Sequence, residues 1–326
     1  MNKISRRKFV TDVAVTAAVV TMPNISNSAQ GEAKPFIKWA GGKGQLLDQL
    51  DALLPHDFAS RENLTYVEPF VGGGAMLFHV LAKYPNIKVA VINDLNKELV
   101  TLFSVIKSKP EKLISRLLVL QNAYQECESM EARKEMFLSM RAKYNTRKGG
   151  DVEIAALFVF LNKTCFNGLY RVNSKGEFNV PFARAQNPLI CDADNLRETS
   201  RILQKVTILN VDFADVPNCV NGKAFFYFDP PYRPLTDSSA FTAYSKGGFD
   251  DNEQRRLAHL CRKLDREGHQ WLLSNSDPHN VNPNDMFFEE IYDGFDIQRV
   301  HASRMINSKA DGRGKITELA IRNYRG

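Results

Sequence analysis

The sequence has few cysteines and histidines, and those present are scattered. Its five cysteines are an odd number without a C-x-x-C pair, which argues against a disulfide framework and against a zinc site. The six histidines never fall at metal-ligand spacing, and neither a G-x-S-x-G elbow nor an H-E-x-x-H helix occurs. We therefore expect no metal ion in this protein, and the sequence lacks the local signatures of α/β-hydrolases and zinc peptidases.

Long apolar runs are also absent. The apolar stretch at residues 13–22 is too short, and too rich in Ala and Thr, to span a bilayer. It follows the pair Arg6-Arg7 and precedes a polar segment. Residues 1–34 therefore resemble a twin-arginine export signal, although an N-terminal extension without that role fits the same pattern.

The rest of the composition is ordinary for a globular protein. The 326 residues are 44% hydrophobic and 25% charged, which excludes collagen-like, wholly disordered and membrane-bundle classes. This length allows two domains, or one large domain with an insertion. Lys and Arg number 43 against 37 Asp and Glu, a formal net charge of +6. Such an excess permits a polyanionic partner without requiring one.

After residue 35, short β-rich runs alternate with helical stretches, which predicts an α/β protein. Several predicted strands are nearly continuous apolar runs, as is typical of a parallel sheet covered on both faces. The predicted strands span residues 65–68, 89–93, 206–211, 224–228, 270–274 and 318–323. The predicted helices span residues 75–83, 96–106, 111–124, 131–144 and 152–163.

No strand is predicted between residues 107 and 204, where the pattern is helical and then loop-rich. A doubly wound α/β core interrupted by a helical insertion is the simplest interpretation. We divide the chain into an extension at 1–34, the first part of the core at 35–106, the insertion at 107–204, and the second part of the core at 205–326.

A triple-glycine turn follows the first predicted strand. Gly72, Gly73 and Gly74 let the backbone approach a ligand at the carboxyl end of that strand. Asp94 ends the next strand, about 20 residues beyond the last glycine, where an acidic group can accept hydrogen bonds from both hydroxyls of a ribose. The G-x-G-x-x-G fingerprint is not met, so a tight strand–helix connection and an adenosine-containing cofactor both fit this pattern.

Residues 36–43, Phe-Ile-Lys-Trp-Ala-Gly-Gly-Lys, place two lysines and a tryptophan around a glycine pair. Backbone N–H groups of such a loop can approach an anion while a lysine supplies a cation. The spacing is not that of a P-loop. Taken alone, the segment is compatible with a ligand-binding loop and with an ordinary turn.

The sharpest signal is the segment 225–232, Phe-Phe-Tyr-Phe-Asp-Pro-Pro-Tyr. An apolar strand ends in Asp229, and the two prolines stiffen the turn because they lack N–H groups and restrict the residues before them. The Asp229 carboxylate and the Pro230 carbonyl can accept both hydrogens of an exocyclic amine while the ring of Tyr232 stacks on its base. The turn therefore indicates a site for a planar amine.

Residues 162–184 interleave Arg, Asn, Lys and aromatic side chains in a loop-rich stretch. Arginine can pair bidentately with guanine, and aromatic rings can wedge between base steps. Other basic residues could meet phosphates, which add affinity without sequence information, but charge runs also occur on ordinary solvated faces. These residues are Arg141, Lys143, Arg147, Lys148, Arg304, Lys309, Arg313, Lys315, Arg322 and Arg325.

Together and in this order, these segments resemble the Dam-type DNA adenine-N6 methyltransferases, whose targets are commonly GATC. The resemblance covers nearly everything from Pro35 to Tyr324 and rests on FIKWAGGK, VEPFVGGG, INDLN, FNGLYRVNSKGEFNVPF, YFDPPY and LSNS. It implies an α/β fold with a doubly wound, Rossmann-like methyltransferase core and an inserted helical target-recognition domain. The N-terminal extension departs from the family pattern.

The resemblance also implies a function and its residues. The enzyme would transfer a methyl group from S-adenosylmethionine to N6 of adenine in double-stranded DNA, as a monomer, without a metal and away from membranes. Its catalytic residues would be Asp229, Pro230 and Tyr232. Its cofactor contacts would be Trp39, Lys43, Glu68, Phe70, Gly72, Gly74, Asp94 and Asp229. Its DNA contacts would be Lys38, Phe166, Asn167, Leu169, Arg171, Pro181 and Arg184, with Phe166 and Asn167 probing the space between bases.

Three alternatives stay open at this point. The same turn could serve methylation of another planar amine, such as cytosine N4 or adenine in RNA. The fold could also belong to a catalytically silent DNA-binding regulator, which the intact Asp-Pro-Pro-Tyr turn disfavours. The twin-arginine-like start could direct export, but the methyl donor and chromosomal DNA are cytoplasmic. We therefore expect the protein in the cytoplasm.

Overall fold

The structure, a computed structural model, describes residues 32–235, 249–303 and 315–325. Most of the extension predicted at residues 1–34 lies outside these residues, as do the basic residues Arg304, Lys309 and Arg313. At the start of the described chain Ala33 is buried, and the backbone of Lys34 exchanges two hydrogen bonds with the side chain of Asn195. The chain is therefore attached to the fold from its first described residues.

A seven-stranded sheet with the order β3-β2-β1-β4-β5-β7-β6 forms the centre of the fold. Strands β1 to β5 run parallel, and β7 lies antiparallel between β5 and β6. The strands are β1 (Leu64–Glu68), β2 (Ile87–Asn93), β3 (Val206–Leu209), β4 (Ala224–Phe228), β5 (Gln270–Ser276), β6 (Asp296–Ser303) and β7 (Lys315–Arg322). The strand order reverses between β1 and β4, and ligands of doubly wound folds bind at such a switch point.

The sheet is buried on both faces. Neighbouring residues of a strand point to opposite sides, so Tyr66 and Phe225 enter one apolar cluster while Val67 and Phe226 enter another. All four side chains are inaccessible to solvent. This double burial explains why the central strands are continuous apolar runs instead of alternating ones.

Helices cover the sheet and extend from it. Side-chain caps fix some of their starts: Asn96 accepts a hydrogen bond from the Leu99 amide, and Asp250 accepts from the amides of Asn252 and Glu253. The helices of the described residues are α1 (Leu47–Asp51), α2 (Ala75–Lys83), α3 (Lys97–Ser108), α4 (Pro110–Gln125), α5 (Met130–Asn145), α6 (Asp151–Thr164), α7 (Ala193–Leu203), α8 (Asp251–Arg266) and α9 (Phe287–Ile291).

Helix α6 is the centre of the helical region between β2 and β3. It is apolar on nearly all sides and packs against α3, α4 and α5. Loops follow it over residues 165–192, held by two isolated bridges, Cys165 with Phe182 and Val172 with Phe178. Helix α7 then packs on α3 and leads into β3.

The predicted α/β fold with a Rossmann-like core is confirmed, and every predicted strand and helix exists with ends shifted by at most a few residues. Strand β3 ends earlier than predicted because the Val211 amide donates to the Asn93 side chain. Strand β6 and helices α7, α8 and α9 were not predicted, whereas α1 begins close to Gln45, where the sequence predicts a helix after the glycine pair. The interpretation of Arg322 as a phosphate contact is wrong: its side chain is buried, with Nε 2.7 Å from Asp296 Oδ2.

Candidate active site

Three of the sequence signals meet at one edge of the sheet. The glycine turn follows β1, Asp94 follows β2 and Asp229 follows β4. Parallel pairing places Glu68 beside Ile92, and Val67 beside Phe226, so the carboxyl ends of these strands lie side by side. This edge lies at the switch point between β1 and β4.

Asp94 is bound to the glycine turn through backbone donors. The Gly72 amide donates to Asp94 Oδ2 at 3.1 Å, and the Asn96 amide donates to Oδ1 at 2.8 Å. Burial raises the pKa of the Asp94 carboxyl, and these two hydrogen bonds oppose that shift. No lysine or arginine of the described chain forms an ion pair with it, so the carboxylate keeps capacity to accept further hydrogen bonds.

The glycine turn lies against the indole of Trp39. Gly72 has a φ of +50°, and a Cβ there would lie 2.9 Å from Trp39 Cδ1. A Cβ at Gly73 would lie 3.1 Å from Trp39 Cβ, and Gly74 begins α2 with a φ of +76°. Glycine is required here both for the backbone conformation and for the close approach of the 36–43 loop.

Lys43 forms a buried ion pair with Asp229. Its Nζ lies 2.9 Å from Asp229 Oδ1, and only 5% of the lysine is exposed. Nζ also donates to the Gly41 carbonyl at 3.0 Å and lies 4.3 Å from the centroid of the Tyr232 ring. Burial raises the pKa of Asp229 to about 6, although Lys43 lowers it; the nearby Glu318 charge raises it further.

Glu318 on β7 completes this cluster and was not predicted. It accepts a hydrogen bond from Tyr232 Oη, and its Oε2 lies 4.0 Å from Lys43 Nζ. Its register partner is Ser276 on β5. The one sequence signal was an acidic residue at the start of an otherwise apolar predicted strand.

The Asp-Pro-Pro-Tyr turn is fixed by buried polar side chains. Gln254 donates to the Pro231 carbonyl at 3.1 Å, and the Arg233 amide donates to Asn275 Oδ1, also at 3.1 Å. Ser276 Oγ donates to the Arg233 carbonyl at 2.8 Å. By contrast, no donor among the described residues reaches the carbonyl oxygen of Pro230. Within the described chain, the Pro230 carbonyl is therefore an acceptor without a donor, in a rigid turn that directly follows Asp229.

Glu68, a predicted cofactor contact, is almost inaccessible. Tyr66 Oη donates to its Oε2 at 3.0 Å, and 2% of the residue is exposed. Burial raises the pKa of Glu68 well above its usual value; the Tyr66 hydrogen bond opposes this, and the charge of Asp229 adds to it. Burial thus favours a protonated carboxyl behind Asp229.

Phe70 belongs to an aromatic wall at the same edge. Its ring centroid lies 5.3 Å from that of Phe213 and 5.6 Å from that of Phe249. The Asn93 side chain holds the adjoining loops together by donating to the carbonyls of Pro69 and Val211, both at 3.0 Å. Phe213 was not predicted, because its place beside Phe70 depends on the pairing of β2 with β3.

The predicted DNA contacts cluster at the carboxyl end of α6. Phe166 is 53% exposed, and Asn167 follows it with a φ of +54°. Leu169 is exposed, and the carbonyl of exposed Pro181 accepts from the Phe166 amide at 2.8 Å. Two large apolar side chains, Phe166 and Leu169, are therefore exposed within four residues of each other.

The remaining predicted DNA contacts are exposed as well. Arg171 donates from Nε to Asn179 Oδ1 at 2.8 Å, and Arg184 has a φ of +55°. Lys38 is exposed beside the turn, since a Cβ at Gly168 would lie 2.6 Å from Lys38 Cβ. The structure thus brings the 36–43 loop close to both the glycine turn and residues 166–170, which we call the Phe166 turn.

Part of the basic cluster at residues 141–148 is neutralised within the protein. Lys143 Nζ lies 2.7 Å from Glu153 Oε1, and Arg147 Nη2 lies 3.0 Å from Glu98 Oε1. Within residues 32–235, 249–303 and 315–325, no three His, Cys, Asp or Glu side chains come together as metal ligands. No helix in the described part of the chain has the length and apolar character that crossing a bilayer requires.

The whole described chain is similar to known proteins of one family. A family profile for D12 class N6 adenine-specific DNA methyltransferases matches residues 39–306. Over 296 residues the chain is 47% identical to the Type II methyltransferase M.MjaIII of Methanocaldococcus jannaschii, covering 90% of this chain and 100% of that protein. It is 38% identical to the Type II methyltransferase M1.LlaDCHI of Lactococcus lactis subsp. cremoris, covering 89% and 95%. It is 30% identical to the DNA adenine methylase of Escherichia coli K12, covering 88% and 94%.

Proposed function

This chain belongs to the D12 class of N6 adenine-specific DNA methyltransferases, and from that premise we propose that it methylates adenine in GATC sites of double-stranded DNA by base flipping. The observation that carries the proposal is the turn after β4. There Asp229, Pro230 and Tyr232 follow a strand that pairs with β1, so they lie at the same edge of the sheet as the glycine turn and Asp94. We take residues 107–204 as the target-recognition insertion of this enzyme.

The residues around the glycine turn fit S-adenosylmethionine, the methyl donor that the family implies. Asp94 accepts only backbone hydrogen bonds and can accept more from ribose hydroxyls. The rings of Trp39, which lies against Gly72, and of Phe70, two residues before it, are apolar surfaces near this turn, and Lys43 is paired with Asp229. The predicted contact Glu68 is buried and close enough for the Asp229 charge to affect its pKa. The donor supplies an electrophilic methyl group on a positively charged sulfur, and the acidic groups of the site favour such a charge.

Asp229 and Pro230 activate the target amine. The adenine N6 nitrogen is a poor nucleophile because its lone pair is delocalised into the ring. Hydrogen bonds from its two N–H groups to the Asp229 carboxylate and the Pro230 carbonyl favour a tetrahedral nitrogen with a localised lone pair. Holding this nitrogen in line with the methyl group contributes most of the rate, since well-oriented reactants save about 7–11 kcal/mol.

The target adenine leaves the duplex before it reacts. Its N6 is inaccessible inside the stack, and extrusion costs a few kcal/mol, roughly the price of unstacking and unpairing one base. Exposed Phe166 fills the space between bases with help from Asn167, while Tyr232 stacks on the extruded ring. Lys38, Leu169, Arg171, Pro181 and Arg184 read the surrounding sequence.

Plasmid methylation tests the proposal directly. Plasmid DNA incubated with the protein and S-adenosylmethionine should become resistant to a nuclease that cuts only unmethylated GATC, and sensitive to one that cuts only methylated GATC. Asp229→Ala should abolish both changes while the protein still folds, with a lower melting temperature because Lys43 loses its buried partner. Asp215→Asn removes an exposed carboxylate from the chain and should behave as wild type.

Near-normal turnover in Asp229→Ala would contradict the proposed chemistry. If a labelled methyl group is found in cytosine or in RNA, that base or nucleic acid is the substrate instead of adenine in DNA. If the protein binds DNA and transfers no methyl group, it is a catalytically silent regulator. We place the enzyme in the cytoplasm, because its methyl donor and DNA are found there. We also propose that it acts as a monomer. Mass spectrometry of the native N-terminus tests this placement, since removal of residues 1–30 would indicate export.

A further inference from the structure

One buried amide joins the 36–43 loop to the Phe166 turn. Asn162 lies near the end of α6 and is 2% exposed. Its Oδ1 accepts from the Lys38 amide at 2.9 Å, and its Nδ2 donates to the Lys38 carbonyl at 2.8 Å and to the Gly168 carbonyl at 2.7 Å. Every polar atom of this side chain therefore serves the connection between the two loops.

Two further contacts reinforce the connection. Gly168 has a φ of +65° and approaches Lys38 so closely that no side chain fits between them. The rings of Trp39 and Tyr170 stack with centroids 5.7 Å apart and an interplanar angle of 27°. The Phe166 turn is thus attached to two consecutive residues of the 36–43 loop.

The other side of the 36–43 loop contacts the catalytic edge of the sheet. Trp39 lies against Gly72 and Gly73, and Lys43 pairs with Asp229. A short stretch of backbone therefore touches the turn proposed for the methyl donor and the turn proposed for DNA. A ligand that orders one end of the 36–43 loop therefore also restricts the conformations of its other end.

We propose that Asn162 is a positioning residue that couples binding of the methyl donor to recognition of DNA; this rests on the proposed function. A loop that one ligand has ordered costs less to order when the second ligand binds, which produces positive cooperativity without a large structural change. By linkage, DNA must strengthen donor binding by the same factor by which the donor strengthens DNA binding.

The test measures that coupling factor. Calorimetry gives the Kd of S-adenosylhomocysteine, an unreactive probe, with and without a saturating GATC duplex, and the ratio of the two values is the factor. Wild-type protein should show a factor of at least about 5, within the usual range for coupled sites. Asn162→Ser and Tyr170→Leu should each bring it close to 1 while both ligands still bind.

Gln121 provides a matched control. Its Oε1 accepts from the amides of Ile190 and Cys191, both at 3.0 Å, so it is also a helix side chain that fastens a loop of the insertion. Its hydrogen bonds reach neither the 36–43 loop nor the Phe166 turn. Gln121→Ala should keep the wild-type factor even if it lowers thermal stability.

The outcomes separate this inference from the function on which it rests. A wild-type factor near 1, or a retained factor in Asn162→Ser, overturns the coupling role. If Asn162→Ser does not fold, Tyr170→Leu tests the connection between the two loops, because it keeps the Asn162 hydrogen bonds and removes the ring that packs on Trp39, Phe158 and Phe178. A retained factor in that variant overturns the coupling through this connection. If the protein methylates GATC and both variants keep the coupling factor, only this inference is overturned. If the protein binds neither ligand, the proposed function is overturned as well.

Discussion

Lys43 makes two contacts that the proposed chemistry assigns to the target base. Its ammonium is bound to Asp229 and lies over the ring of Tyr232. An incoming adenine therefore competes with the ammonium for these groups, and the Gly41 carbonyl and Glu318 lie close enough to hold the ammonium when the base binds. In the absence of DNA, Lys43 also offsets part of the cost of an ionised carboxylate in a buried position.

This pairing predicts the pH dependence of the enzyme. Asp229 accepts the amine only when ionised, so kcat/KM should fall as pH drops through its pKa of about 6. Lys43 lowers that pKa, so Lys43→Met should raise it and move the acidic limb to higher pH. The measurement is the pH at which kcat/KM falls to half its maximum on the acidic side of a pH–rate profile, and not the maximum value itself. Lys88→Met, at the opposite end of β2, should leave the limb in place.

Arg171 is the side chain that we expect to read a guanine. Losing a bidentate Arg–guanine pair costs about 1–3 kcal/mol and relaxes specificity at one position of the target. Arg171→Ala should therefore lower kcat/KM for GATC and flatten the difference between GATC and duplexes changed at a single guanine. Equal weakening on every duplex would instead assign Arg171 to a phosphate.

At the scale of elements, the site depends on how each strand ends. The parallel strands deliver the glycine turn, Asp94 and Asp229 to one edge, and helix α6 delivers the Phe166 turn. The prolines restrict the backbone of the Asp-Pro-Pro-Tyr turn, and the glycines allow the left-handed conformation of the turn after β1. Long-range contacts with Asn275 and Trp39 then hold these two turns in place. Small changes in these turns should therefore affect binding more than stability.

Gly72→Ala tests this at the first turn. Its φ of +50° and the 2.9 Å approach to Trp39 leave no room for a Cβ, and a left-handed alanine costs about 1–2 kcal/mol. The free turn relieves this strain by shifting, and the donor has to restore its original conformation, so the same free energy should appear as about tenfold weaker binding of S-adenosylhomocysteine. Gly150→Ala, with φ of −78° and nothing within 4 Å, is the matched control for calorimetry. Unchanged binding in Gly72→Ala would remove this turn from the donor site.

Local sequence was enough to predict the elements and turns whose signals are contiguous. The apolar run before Asp229, the glycine turn and the helix that became α6 all carry their pattern within a few neighbouring residues. Glu318 and Phe213 carry no such pattern, because their roles follow from which strands are neighbours. Strand β6 escaped prediction because it lies at the sheet edge, where polar and apolar residues mix, and its edge groups at His301 bond to the side chain of Gln49.

For the whole molecule, DNA affinity should depend strongly on salt. The formal net charge is +6, and exposed Lys38 forms no ion pair with the described residues. A protein that meets 6–10 phosphates loses roughly 10³–10⁵ in affinity between 50 and 200 mM salt. Lys38→Ala should reduce the slope of log K against log salt by about 1 if it meets a phosphate, whereas Lys88→Ala should not change it. An unaltered slope with lost GATC preference would assign Lys38 to a base.

The cluster of Lys43, Asp229 and Glu318 joins residues from distant parts of the chain. Lys43 precedes the first strand, Asp229 ends β4, and Glu318 arrives only with β7, which inserts between β5 and β6 after β6 has already been made. During synthesis the Asp-Pro-Pro-Tyr turn therefore leaves the ribosome well before Glu318, whose carboxylate accepts a hydrogen bond from Tyr232. Chains that stop short of residue 315 carry the Asp-Pro-Pro-Tyr turn but lack both the Glu318 carboxylate and the strand between β5 and β6, so in them the surroundings of Asp229 are unfinished.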